Sequence, residues 1–149
     1  LSELVEQVAT RLRREKKKTR RISLYVGYGF ASPLPAIHAQ LSIEATNSTA
    51  ALIRAILSIF RDKYQTGAVR RLGIAFGSLC EDTFELISLF EDDNTNTKQD
   101  TVQEVVDDIR RQYGFLSVQK ATVLMSGSRA ITRSKLVGGH SAGGLDGLK

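Results

Sequence analysis

The sequence of 149 residues predicts an α+β domain followed by a helical C-terminal extension. Three observations predict it. Apolar residues recur at helical spacing in two segments, they alternate at strand spacing in three others, and these segments follow one another in the order α-β-β-α-β. A preceding strand would complete a split β-α-β-β-α-β sheet backed by two helices. We expect that first strand to be missing from this chain, which we take for a piece of a longer protein.

The first helix and the first two strands follow from the spacing of apolar residues. The residues that recur at helical spacing are Leu1, Leu4, Val5, Val8, Ala9 and Leu12. A basic run over residues 11–21 suits the C-terminus of that helix. The first strand is predicted over residues 21–29, with Ile22, Leu24 and Val26 on one face. The second strand is predicted over residues 40–45, with Leu41 and Ile43 inward, so we expect an antiparallel pair.

A second helix and a third strand are predicted between residues 46 and 77. Residues 46–49 offer several N-cap side chains. The apolar side of the helix is predicted to hold Leu52, Ile53, Ile56, Leu57, Phe60 and Tyr64. Gly67 is predicted to close the helix. The third strand is predicted over residues 69–77, with Leu72, Ile74 and Phe76 inward.

We divide the chain into four parts. These are a folded domain over residues 1–79, an acidic linker over 80–98, a third helix with a short strand over 99–125, and a Gly-rich, mobile tail over 126–149. The third helix is predicted from Val102, Val105, Val106, Ile109 and Tyr113, which share one face, and it is predicted to stop at Gly114. The short strand is predicted over residues 116–124.

The charge of the chain is unevenly distributed. Residues 1–80 carry 13 Lys and Arg against 5 Asp and Glu, whereas residues 81–149 carry 8 against 11. This asymmetry favours a polyanionic partner for the first part only.

One face of the predicted sheet is a candidate surface for nucleic acid. Arg70 and Arg71 precede Gly73, whose missing side chain lets another backbone approach. The other residues predicted for this surface are Ser23, Tyr25, Gln40 and Ser42 on the exposed face, with Arg20 and Arg21 leading into the first strand. Small polar and basic side chains on an open sheet suit phosphate contacts without reading bases. A solvated sheet face has the same pattern, and the charge of residues 1–80 favours nucleic acid over it.

Residues 85–90, with the sequence ELISLF, form a short hydrophobic peptide between acidic residues. Leu86, Leu89 and Phe90 could enter a hydrophobic groove on a partner protein, as short linear motifs do. A strand or turn that contributes Leu and Phe to the core would have the same composition. The acidic flanks favour an exposed peptide.

The sequence predicts no catalytic and no metal-binding site. His38 and His140 are isolated, and Cys80 has no CxxC partner for a zinc site. Asp107 and Asp108 are adjacent, so on a helix they diverge by about 100°. No nucleotide-binding or nucleophile motif occurs. The single cysteine suits a reducing cytoplasm, and no run of about 18 apolar residues predicts a membrane span.

Six segments occur in the order expected of Y-family (translesion) DNA polymerases, in the ImpB/MucB/SamB and UV-damage-repair branch of bacteria. They are LVEQVATRLRREKKKTRRISLYVGY, AQLSIEATNSTAALIRAILSIFRDKY, VRRLGIAFGSL, ELISLFED, VVDDIRRQYG and RSKLVGGH. Over nearly its whole length the chain resembles the C-terminal region of that family. The resemblance implies that residues 1–79 are a little-finger domain, which lies along the major groove of primer–template DNA and grips phosphates.

The resemblance also implies roles for particular residues. Arg70 and Arg71 match a basic pair that touches the template backbone, while Arg21, Ser23 and Tyr25 fall on the first DNA-facing strand. Ala39 departs from the family, whose members often carry an Arg at that place.

The resemblance further implies that ELISLF docks on the bacterial sliding clamp. Glu85 or Leu86 stands where the family's clamp peptide usually has a leading Gln. The parent protein would be an error-prone, cytoplasmic polymerase that extends primers past damaged bases with two magnesium ions in a palm domain. This chain lacks the palm carboxylates, so we expect it to bind DNA and clamp, to hold no cofactor and not to catalyse.

Two other classes of function stay open at this point. A ferredoxin-like RNA-binding module would present aromatic side chains on its sheet for base stacking, and only Tyr25 is a candidate there. A protein-interaction domain with incidental charge is the third possibility.

Overall fold

The computed structural model describes residues 1–30, 32–82, 94–134, 136–137 and 140–141, in two compact units, Leu1–Glu91 and Asp92–Lys149. The first unit consists of α1 (Ser2–Arg14), β1 (Lys17–Tyr28), β2 (Ile37–Thr46), α2 (Thr49–Lys63) and β3 (Val69–Glu81). Its three strands form an antiparallel sheet in the order β2-β1-β3. The predicted α+β fold and the predicted order of elements are confirmed.

The central strand β1 supplies the middle of the hydrophobic core. Ile22, Leu24 and Val26 are almost completely buried, because β1 has a neighbour on each edge and both helices on its inner face. Their cross-strand partners on the same inner face are Leu41, Ala39 and Ile37 on β2, and Phe76, Ile74 and Leu72 on β3. Strand alternation therefore sends the intervening residues to the opposite, outer face.

Helices α1 and α2 cover the inner face of the sheet with one apolar stripe each. The buried residues are Val5, Ala9 and Leu12 on α1, and Leu52, Ile56 and Ile59 on α2. The predicted apolar face of α1 is confirmed, since all three buried residues of the helix belong to it. On α2 the stripe is centred differently, since Ile59 is buried while Leu57 and Tyr64 are half-buried.

Strand β1 begins earlier than predicted, and the basic run over residues 11–21 is divided as a result. Helix α1 ends at Arg14, and Lys16 has φ +50 in the turn that follows. Lys17 and Lys18 then pair with Glu81 and with its neighbour in β3. The physical reason is that β3 extends four residues past the predicted end, which gives these lysines a backbone ladder that overrides their helix preference.

The turn from α2 to β3 depends on Gly67. The prediction that Gly67 closes α2 is wrong, since the helix ends at Lys63 and Tyr64 is extended. Gly67 has φ +106, which L side chains rarely adopt, and a methyl group there would come within 2.7 Å of the Leu34 side chain. The Tyr64 hydroxyl donates a hydrogen bond to the Gly67 carbonyl at 2.7 Å.

The second unit contains α3 (Asn94–Tyr113), two 3₁₀ helices (Phe115–Ser117 and Ala121–Leu124), α4 (Ala130–Ser134) and a two-stranded ladder of β4 (Leu136–Val137) and β5 (His140–Ser141). Both ends of the predicted linker, residues 80–81 and 94–98, belong to regular elements, because β3 continues to Glu81 and α3 begins at Asn94. Residues 93–113 contain no Gly or Pro, so α3 continues on the N-terminal side of its apolar face through the polar residues that precede Val102. Gly114 ends α3 with φ +90, as predicted.

The short strand predicted over residues 116–124 is replaced by the two 3₁₀ helices. Their backbone groups are satisfied locally: the Ser117 N–H donates to the Gly114 carbonyl at 3.1 Å and the Val123 N–H to the Lys120 carbonyl at 2.9 Å. The predicted mobility of the tail over residues 126–149 stays a prediction. In the described part of that tail, residues 130–134 form α4, and residues 136–137 pair with residues 140–141.

Candidate nucleic-acid interface

The outer face of the sheet, which is the side opposite α1 and α2, is built from rows of side chains that lie across the three strands. Because paired residues share a face, the register defines the rows. From one end of the sheet to the other they are Ser42–Arg21–Gly77, Gln40–Ser23–Ala75 and His38–Tyr25–Gly73, followed by Gly27–Arg71. The face thus has small and polar residues in its middle and an arginine toward each end.

Six of the eight residues predicted to touch DNA lie together on this face. They are Arg21, Ser23, Tyr25, Gln40, Ser42 and Arg71. The other two, Arg20 and Arg70, lie at irregularities of the sheet, since the register on β1 passes over Arg20 and the register on β3 passes over Arg70. At Arg70 the irregularity re-aims the extra residue of β3, whereas at Arg20 the extra residues lie on β2, opposite β1. Strand alternation alone cannot predict either irregularity.

Tyr25 lies flat on the outer face. A methyl group at Gly27 would come within 2.8 Å of the Tyr25 hydroxyl, so the ring extends along β1 over that glycine. Its edge meets the ring of His38 on β2, with centroids 4.8 Å apart and planes at 66°. The ring is therefore half-buried between two strands and does not stand away from the sheet.

His38 also belongs to this face, although it was not among the residues predicted for it. Its cross-strand partner is Tyr25, and it is exposed beside Gln40, two positions further along β2. Strand alternation could have placed His38 on the same face as Gln40 if β2 had been predicted to begin at Ile37, three residues before the predicted start. His38 shares an open groove of about 380 Å³ with Ser23, Tyr25 and Arg71.

The basic run over residues 11–21 does not act as one surface. Arg13 braces the first unit, since its Nη1 donates to the Asn47 carbonyl at 3.0 Å and to the Thr49 hydroxyl at 2.8 Å. Lys18 pairs with Asp82 at 3.2 Å, and the Lys18 side chain is only 18% exposed. Arg13 and Lys18 therefore hold elements of the fold together. Arg21, which also belongs to the run, lies instead on the outer face of the sheet.

At the end of the sheet where β1 stops and β3 starts, Arg70 lies over the ring of Phe30. The guanidinium carbon is 3.9 Å from the ring centroid. Phe30 is 93% exposed, which makes it the most exposed of the large apolar side chains in the described part of the chain. Phe30 is not among the residues predicted to touch DNA, because no periodicity places it in a strand or helix.

Within the described ranges, no three His, Cys, Asp or Glu side chains cluster in a way that could hold a metal ion. Asp107 accepts a hydrogen bond from Gln103 at 3.3 Å, and Asp108 pairs with Arg111 at 2.7 Å, so the two adjacent carboxylates have separate partners. The Cys80 thiol lies 3.8 Å from the Lys18 carbonyl inside the β1–β3 ladder.

The clamp-docking residues predicted from sequence, Glu85, Leu86, Leu89 and Phe90, lie outside the described residues. The structure describes the chain up to Asp82, directly before that segment. The Asp82 carboxylate accepts a hydrogen bond from the Asn47 amide at 2.8 Å and pairs with Lys18, and its N–H donates to the Lys16 carbonyl at 2.9 Å. The end of β3 is thereby fixed to the sheet and to the start of α2.

Residues 1–89 match the impB/mucB/samB family C-terminal domain. The UV-damage repair protein UvrX of Bacillus subtilis (strain 168) is 32% identical over 143 residues, which cover 95% of this chain and 34% of the relative. DNA polymerase IV 2 of the same organism is 28% identical over 141 residues, covering 94% of this chain and 34% of the relative. DNA polymerase IV 2 of Halalkalibacterium halodurans is 25% identical with the same coverage. The chain spans about a third of the length of these curated relatives. Among the described helices, none is both long and apolar enough to cross a membrane.

Proposed function

The chain belongs to the impB/mucB/samB family of Y-family DNA polymerases and UV-repair proteins, as its six sequence segments predicted, and we propose that it binds primer–template DNA through the outer face of its sheet. The observation that carries this proposal is the arrangement of that face. Arg21 and Arg71 stand toward its two ends, with Ser23, Gln40 and Ser42 between them. Cationic and hydrogen-bonding groups of this kind suit successive phosphates of a DNA backbone.

The chemistry of the face supports binding without regard to base sequence. Hydroxyl, amide and guanidinium groups donate to phosphate oxygens, and such contacts carry no base-sequence information. Arg71, Gln40 and Ser42 are exposed. Residues 1–80 carry the net positive charge of the chain, which adds a long-range attraction for DNA that salt weakens.

The second part of the proposal concerns residues 85–90. In a Y-family parent this segment would dock on the bacterial sliding clamp, with Leu86, Leu89 and Phe90 in a hydrophobic groove and Glu85 at its leading edge. The anchoring of Asp82 to Asn47 and Lys18 supports this, because it fixes the last described residue before the segment.

The parent protein would be a cytoplasmic translesion DNA polymerase that takes part in DNA repair. Since this chain corresponds to about a third of its relatives, nucleotide transfer and its magnesium ions would belong to the remaining two thirds. The function of this chain would then be to hold DNA and clamp together while the catalytic part acts.

The test is a charge-matched comparison of two double variants of the chain. Arg21→Ala with Arg71→Ala removes the two arginines of the outer face. Arg54→Ala with Arg61→Ala removes two exposed arginines from α2, which packs on the other side of the sheet. Fluorescence anisotropy with primer–template DNA, measured across a salt series, reports both affinity and its salt dependence.

The outer-face variant should weaken binding to all DNA sequences alike and lower the slope of log K against log salt by about two, or about one per lost phosphate contact. It should keep its binding to an immobilised bacterial sliding clamp. The α2 variant should differ little from the unsubstituted chain. Equal effects of the two variants would mean that only net charge matters, and the outer face would then not be the binding site.

Structured RNA in the same assay addresses the competing function. A sheet that reads RNA by stacking presents raised aromatic rings. Tyr25 instead lies over Gly27 and against His38, so we expect weaker binding to RNA than to the DNA duplex. Tighter binding to RNA would favour the RNA-binding module over the proposal.

A further inference from the structure

Phe30 sits at the tip of a turn that holds its backbone in place. The Ser32 N–H donates to the Gly29 carbonyl at 3.0 Å, which joins the backbone before Phe30 to the backbone after it. The ring is 93% exposed and therefore takes almost no part in the core. Core packing and turn closure together give no reason for an aromatic side chain at this place.

Arg70 and Arg71 diverge because of the irregularity at the start of β3. Arg71 pairs with Gly27 and belongs to the outer face, whereas the register passes over Arg70 before Tyr28 pairs with Val69. Arg70 instead lies over Phe30, with its guanidinium carbon 3.9 Å from the ring centroid. A guanidinium on one side of an aromatic ring is a favourable cation–π contact, and it leaves the other side of the ring accessible.

We propose that Phe30 and Arg70 bind an unpaired base of single-stranded DNA that continues from the duplex held on the outer face. This inference rests on the proposed function. The exposed side of the Phe30 ring would stack on the base, and the Arg70 guanidinium would attract the adjacent phosphate. A ring that stacks on bases next to basic side chains is the arrangement by which proteins bind single strands without sequence preference.

The position of Phe30 and Arg70 favours binding of a single strand over binding of a duplex. Arg71 and Arg70 are consecutive residues, so the pair lies directly beside one end of the outer face. Bases inside a duplex are already stacked on both sides, and only an unpaired base has a side that Phe30 can cover. A template strand leaving the duplex at this end would meet the ring first.

The experiment compares two DNA ligands, three substitutions of Phe30 and one control substitution. One ligand is a blunt duplex and the other is the same duplex with a single-stranded template overhang that contains 2-aminopurine, whose fluorescence falls on stacking. Phe30→Ala removes the ring, Phe30→Leu keeps apolar bulk, and Phe30→Trp keeps an aromatic ring. Phe115→Ala is the matched control, since Phe115 also lies under an arginine, with the guanidinium carbon of Arg110 at 5.0 Å from its ring centroid.

The unsubstituted chain and Phe30→Trp should bind the overhang ligand more tightly than the blunt duplex and quench 2-aminopurine. Phe30→Ala and Phe30→Leu should lose about fivefold or more in affinity for the overhang ligand and should not quench, while binding the blunt duplex as before. Phe115→Ala should change neither. Because Phe30 is exposed, these substitutions should leave the fold intact, which circular dichroism checks.

Two results would overturn the inference alone: quenching that persists in Phe30→Ala, or an equal loss for both ligands. In either case the dependence of duplex binding on Arg21 and Arg71 would still support the proposed function. If the unsubstituted chain bound neither ligand, the proposed function would fail and the stacking inference would fail with it.

Discussion

Thr19 is a fully buried polar residue in β1, and its removal gives a sharp prediction for the stability of the first unit. The Thr19 hydroxyl oxygen lies 2.8 Å from the Gly77 carbonyl oxygen and 2.9 Å from the Arg21 carbonyl oxygen. Its single proton is shared between these two acceptors, and the oxygen also accepts from the Arg21 N–H at 3.4 Å. The hydroxyl thus joins β1 to β3 at the point where the register passes over Arg20.

Thr19→Val keeps the shape of the side chain and removes this hydroxyl. The net worth of a typical hydrogen bond is about 1 kcal/mol, and a buried acceptor that loses its donor costs about 1–3 kcal/mol. Valine fills the same volume, so no cavity term is added. We therefore expect the free energy of unfolding of the first unit to fall by about 1–2 kcal/mol.

The assay is urea unfolding followed by tyrosine fluorescence in a Tyr113→Phe background. The chain has four tyrosines and no tryptophan, and Tyr25, Tyr28 and Tyr64 all lie in the first unit. Thr66→Val is the matched control, since Thr66 is exposed and the same change there should stay within about 0.5 kcal/mol. Equal stability of Thr19→Val and the control would refute the reasoning.

Two further predictions concern the core and the outer face. Ile56→Ala removes a fully buried side chain of α2 and should lower the free energy of unfolding by about 2–5 kcal/mol in the same assay, whereas Ile53→Ala, at a half-buried position, should cost less. Gly27→Ala should displace the Tyr25 ring, because the added methyl group would lie 2.8 Å from its hydroxyl. The expected sign is a change in the ring-current shifts of the His38 protons; unchanged shifts would show that the ring does not lie over Gly27.

The sequence predicted the fold of the first unit well because its periodic signals are strong. Ile22, Leu24 and Val26 alternate without interruption, and Leu52 and Ile56 are one helical turn apart, so burial follows from spacing. The same alternation placed six side chains of the outer face together. The alternation of side chains along a strand is visible in the local sequence. When one face of the sheet is buried, that alternation shows which side chains form the opposite, exposed face.

The features that the sequence did not predict depend on contacts between distant residues. Strand β1 includes Lys17 and Lys18 because β3 extends to meet them, and the end of β3 is visible only once the strands are paired. Arg70 leaves the outer face through a register irregularity, and its contact with Phe30 joins residues 40 positions apart. Local patterns carry no information about such pairings, since each one is set by tertiary structure.

The glycines Gly73 and Gly77 of β3 are required neither by side-chain packing nor by the backbone conformation of the domain. Glycine weakens a strand interior, so each one calls for a reason. At Gly73 a methyl group would lie 3.5 Å from the Tyr25 side chain, and at Gly77 it would lie 3.9 Å from that of Arg21, both ordinary contact distances. Neither has a positive φ. Among the described residues, packing and backbone conformation thus leave room for a side chain at both positions, in contrast to Gly27. A phosphate backbone could approach β3 closely at these two glycines, which lie on the exposed face near arginines. The proposed DNA contact therefore explains two glycines that the fold itself does not require.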